Sequence, residues 1–159
     1  MEDYAKLLHI FFGYFAPLEK AVAVHTAHRL PDFDQRRKTG TILKDLDCIE
    51  NEGNFPIREF AIPEIQNFHQ ALGALYVMEG STLGGRVIAN MIGRQLNMQA
   101  ETGLAFFNGY GEGTGVMWDK FQRIINDSNF SEFERQAVII TAKITFIHFT
   151  SLVKQHYGM

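Results

Sequence analysis

Cysteine is almost missing from this chain: Cys48 is the only one in 159 residues. No internal disulfide can staple the fold, and no thiolate cluster can hold a metal. Proline is scarce too, with four, which leaves long stretches uninterrupted and favours helices. Excess positive charge is lacking. Lys and Arg number 15 against 18 Asp and Glu, a net charge of −3, so electrostatics give no case for nucleic acid. No consecutive run of about eighteen apolar residues occurs, so no membrane span is expected. The opening Met1-Glu2-Asp3 lacks the basic region and apolar core of a signal peptide. These absences lead to the expectation of a cytoplasmic protein. What is present is ordinary for a globular chain, 46% hydrophobic and 21% charged. Residues 1–159 are enough for one domain with a real core.

Apolar periodicity points to helices. Leu7, Leu8, Phe11, Phe12, Phe15, Leu18 and Val22 form a wide stripe from Tyr4 to about Val24. Pro17 inside it predicts a kink or break near Phe15. His25 to Asp34 reads as a loop. A second helix is expected from Arg36 to Glu50, with Ile42, Leu43, Leu46 and Ile49 inward. Asn51 to Phe60 reads as loop, and Pro63 suits the first turn of the next helix. A glycine-rich loop from Thr102 to Gly115 is interrupted by a short turn at Leu104–Phe107, and a helix follows from Val116 to Ile125. Ser131 and Glu134 have capping-box spacing. The β-branched run that follows is too long for a strand, and it places Ala137, Ile140, Ile144, Ile147 and Ser151 on one helical face. The expectation is an all-α bundle of roughly six helices.

The stretch from Gln70 to Leu96 stands out, because it has a helical pattern yet contains Gly73, Gly80, Gly84, Gly85 and Gly93. Each interior glycine costs roughly 1 kcal/mol relative to alanine. Gly73, Gly80 and Gly84 recur at spacings of seven and four, so they share a face. A bare face lets another helix or a flat ligand approach the main chain, and the glycines alone leave both readings open. Adjacent Gly84 and Gly85 also permit a kink. The pattern is neither a dinucleotide fingerprint nor a P-loop, since both need a strand just upstream.

The stretch from Leu72 to Ile88 closely resembles the distal helix of bacterial haem (heme) oxygenases, including those that make biliverdin for bacterial phytochromes. The resemblance continues through Phe12–Glu19, Arg36–Leu46, Phe106–Gly111 and Gly115–Phe121, covering nearly the whole chain in order. It implies a haem oxygenase-like multihelical bundle with a kinked glycine-rich distal helix. It also implies haem as cofactor and substrate, and its cleavage by O₂ and reductant to biliverdin, CO and iron. Gly80, Gly84 and Gly85 match the distal glycines that bring backbone against the porphyrin. Ser81 stands where animal enzymes carry an acidic residue that organises distal water, and a serine can still hold water. Arg123 matches roughly where the family has a basic residue facing the propionates, with Lys120 beside it. Arg36, Arg37 and Lys38 read as surface.

Family members carry the iron-binding proximal histidine on a helix upstream of the segment matching Phe15–Glu19, and the residues ahead of Phe12 offer no counterpart. One expectation is that a longer native chain supplies that helix. Another is a non-catalytic protein that binds some other flat apolar ligand, or a structural homodimer with the Tyr4–Val24 helix at or near its interface. The third is haem binding through a substitute ligand. His148, near the stripe between Ile144 and Ser151, is the candidate, against the alternative of a satisfied interior histidine. His9, His25, His28, His69 and His156 read as surface, loop or capping residues. The electron donor is not legible in the sequence.

Overall fold

The computed structural model describes residues 1–50, 58–99 and 102–158. Six α-helices make up the described architecture: α1 (Glu2–Thr26), α2 (Gly40–Glu50), α3 (Phe68–Leu96), the single turn α4 (Ala105–Asn108), α5 (Thr114–Asn126) and α6 (Glu132–Tyr157), with short 3₁₀ turns at Phe33–Gln35 and Gly111–Gly113. Helix α3 is the central element. It packs along α6 and α1 and carries α4 and α5 on its other sides. The expected loop from Asn51 falls largely outside the described residues.

Local chemistry accounts for the helix ends. Asn67 caps α3 by accepting from the Gln70 amide at 3.0 Å, and Asn97 closes it in the left-handed conformation. Ser131 and Glu134 form the full capping box at the start of α6. Two expected boundaries move. Pro63 is buried in an irregular segment ahead of α3 rather than in a helix, because the cap that starts the helix is Asn67. Helix α2 begins at Gly40, so Arg36, Arg37 and Lys38 sit in the turn before it.

Pro17 does not break α1, which is helical from Glu2 to Thr26. Phe15, Leu18 and Val22 on that stretch are each at most 1% exposed, and that packing outweighs the lost backbone donor. Helix α3 is likewise unbroken through Gly84 and Gly85.

The inward face of α6 differs from the expected one. Val138, Thr141 and Thr145 are buried, while Ile140, Ile144 and Ile147 are exposed. Gly73 explains the choice of face. A Cβ at Gly73 would collide with the Val138 carbonyl oxygen and touch Thr141, so the two backbones meet there and small side chains face inward. By length and composition, α1 and α6 are each apolar enough to cross a membrane, a property that counting uninterrupted apolar runs missed. Half of the α1 window is buried against other helices, as in a core helix, but only 17% of the α6 window is.

Candidate functional site

A cleft of about 460 Å³ opens between α1, α3 and α6. Phe11 and Phe15 come from α1; Tyr76, Val77, Gly80 and Ser81 from α3; Ala142, Lys143, Phe146 and Phe149 from α6. The aromatic wall is itself packed. Phe11 stands edge-on to Phe15 at 5.4 Å and 4.7 Å from Phe149 between ring centres, and it meets Phe106 and Phe107 behind it. Such interlocked rings hold a cavity open because none can move into it without losing several contacts.

The distal glycines divide by what they face. A Cβ at Gly80 would meet only the Trp118 ring, at 3.6 Å, and one at Gly84 would meet nothing within 4 Å. At Gly85 it would collide with the Phe107 carbonyl oxygen. Gly80 lines the cleft with its side-chain position toward the Trp118 ring, Gly84 faces open space, and Gly85 packs α3 onto α4. Of the three, Gly80 alone lines the cleft.

A polar network is built on Arg36 and Arg37, two residues expected at the surface. Arg36 is 3% exposed and clamps Asp32 at 3.0 and 2.7 Å and Glu79 at 2.8 Å. Tyr110 donates to the same Glu79 carboxylate at 2.9 Å and accepts from the Arg37 amide at 2.7 Å. The Arg37 guanidinium donates to Met78 O at 2.7 Å, to Ser81 Oγ at 2.6 Å and to Phe106 O at 3.4 Å. Ser81 in turn donates to Met78 O at 2.7 Å. Desolvation pulls Arg37 down to about 10. Burial pushes the Glu79 carboxyl above its ordinary range, with Arg36, Tyr110 and Arg37 pulling the other way. A glutamate inside an apolar helix was the signal available in the sequence, since a buried carboxylate demands a cation.

Asp45 does similar work at the far end. Its carboxylate accepts from the Ala105 and Phe106 amides at 2.9 and 2.8 Å and so anchors α4. Burial raises its carboxyl pKa despite those two bonds.

The remaining sequence candidates lie elsewhere. His148 is an exposed residue on a separate 260 Å³ pocket shared with Tyr14, Phe60 and Leu152. Arg123 is exposed on α5 and is not part of the cleft lining, whose cation is Lys143. His9 faces Glu50 at 3.2 Å, and His69 packs edge-on against Phe130 and lies 3.5 Å from Glu134. Among the described residues no group of three or more His, Cys, Asp and Glu could hold a metal.

The site suits a flat apolar group: it offers aromatic walls, a glycine at position 80, two hydroxyl residues, Tyr76 and Ser81, and one cation, Lys143. A porphyrin fits that description; no histidine, cysteine or methionine is among the lining residues, and Tyr76 is the one lining side chain of a type that ligates haem iron. The fold and site together define an all-α protein with an aromatic-walled cleft lined by Gly80. The Heme oxygenase family model matches residues 1–155, and the chain belongs to that family. A curated relative from Xanthomonas campestris pv. campestris (strain 8004), named Heme oxygenase, is 31% identical over 117 residues. That alignment covers 72% of this chain and 66% of the relative, so just under two thirds of the relative's length is spanned. No solved structure matches the chain.

Proposed function

We propose that the cleft between α1, α3 and α6 binds haem, with one porphyrin face against the α3 backbone at Gly80. The observation that carries this reading is Gly80 itself, a helical residue on the cleft wall whose missing side chain leaves room. Phe11, Phe15 and Phe149 would exclude water from the ring. Lys143 is better sited than Arg123 to receive a propionate. Ser81 would hold a water molecule at the polar end. Bound haem supplies the iron at which O₂ is activated. The activity proposed is the oxidative cleavage of haem to biliverdin, CO and iron with an external reductant. Hemin addition followed by ascorbate tests it: the Soret band is expected to decay while a biliverdin band grows. A stable Soret band through repeated ascorbate additions would contradict turnover.

A second reading, a homodimer, is favoured by the uncovered side of α6, where Ile140, Ile144, Phe146 and Ile147 are 40 to 58% exposed. That apolar side, rather than the core helix α1, is the surface association would bury.

A further inference from the structure

Arg37 is a half-buried cation that haem binding leaves unexplained. Its three side-chain acceptors, Phe106 O, Met78 O and Ser81 Oγ, are all neutral, and its guanidinium lies 4.3 Å from the centre of the Phe106 ring. Two carboxylates act on it through space, Glu79 and Glu19. Glu79 is already engaged by Arg36 and Tyr110, and Glu19 accepts from the Thr39 amide at 2.6 Å. The neighbouring cations are Arg36, which has two carboxylates in contact, and Lys38, which donates to Phe33 O. Charge is therefore divided unevenly: Arg36 contacts two carboxylates, whereas the Arg37 guanidinium hydrogen-bonds only neutral oxygens and feels its carboxylates at longer range.

Ser81 connects that charge to the cleft. Its oxygen accepts from Arg37 and its proton goes to Met78 O, an atom that Arg37 also reaches. Turning the serine proton toward the cleft would leave Met78 O still bonded, so the turn orphans nothing. We propose that the Ser81 end of the cleft is an anion-binding corner. In it the Ser81 hydroxyl donates to an anionic oxygen or nitrogen atom, and Arg37 supplies the positive charge behind that hydroxyl. The occupant is a small anion or the acidic group of a larger ligand. The otherwise apolar walls strengthen the attraction by keeping water away.

The test uses the haem-free protein with azide as the probe, against chloride at equal ionic strength. Azide is expected to raise the melting temperature saturably, as a ligand of the native state does. Ser81→Ala should weaken the apparent affinity roughly tenfold, and Ser81→Asp should abolish the effect by placing a carboxylate against Arg37. Ser81→Asp should also destabilise the protein less when residue 37 is Arg than in an Arg37→Met background. If Arg37→Met does not fold, the two Ser81 variants decide the matter, since both keep Arg37. Equal azide effects in the wild type and Ser81→Ala would overturn the proposal, and so would the absence of any azide effect. Binding azide without binding hemin would keep the corner and remove the haem reading; the reverse would remove only the corner.

Discussion

Glycine placement on α3 decides what single substitutions do. Gly84 is exposed, helical and clear of neighbours. Gly84→Ala is therefore expected to stabilise the fold by up to about 1 kcal/mol, measured as a shift in urea midpoint. Gly85→Ala drives a Cβ into the Phe107 carbonyl and should cost roughly 1–3 kcal/mol in the same measurement. A stabilised Gly85 variant would show that α3 and α4 can separate at no cost. The sequence marked these glycines as unusual, but it did not reveal which of them faces a helix, a loop or open space, because spacing alone does not say what stands opposite. The environment of Arg36 and Arg37 is hidden in the sequence for a related reason. Two adjacent arginines resemble a solvated run until the glutamate they surround, 43 positions from Arg36, is brought beside them.

At the scale of elements, caps and periodicity carried most of the outcome. The capping box of α6 and the single turn α4 both lie where local sequence indicates. Pro17 and the phase of α6 do not follow from local sequence. In both cases a tertiary contact decides: the packing of Phe15 and Leu18 around the proline, and Gly73 against Val138. The α2–α4 junction gives a prediction in pH. Burial raises the folded pKa of Asp45 above its ordinary 3.8, and Glu79 shifts in the same direction from 4.5. Groups of this kind bind protons more tightly when folded. Their contribution to stability is complete below the ordinary carboxylate range and declines as pH rises through the folded values. Urea midpoints taken upward from pH 3.8 should fall in part for this reason, and Asp45→Asn should flatten the fall. Asp45→Ala, which removes both bonds to α4, should cost roughly 1–3 kcal/mol. An unchanged pH slope in Asp45→Asn would assign the effect to Glu79 alone.

Across the whole molecule, the family was legible because motifs spread over α1, α2, α3 and α5 occur in the right order. The cleft was less so, since four of its ten lining residues come from α6, whose inward face the sequence pattern misassigned. The open side of α6 leads to an expectation for assembly: Ile140→Lys with Ile147→Glu should lower any self-association seen by sedimentation without lowering the urea midpoint. A protein that is monomeric at all concentrations before substitution would remove the dimer reading.

The central claim is that haem lies against the bare backbone of Gly80, and a hemin titration of the wild type, Gly80→Leu and Gly84→Ala tests it most directly. The account predicts saturable one-to-one binding with a Soret shift in the wild type and in Gly84→Ala, and at least roughly tenfold weaker binding in Gly80→Leu, whose side chain would occupy the ring's place. Undiminished hemin affinity in a folded Gly80→Leu protein would contradict it.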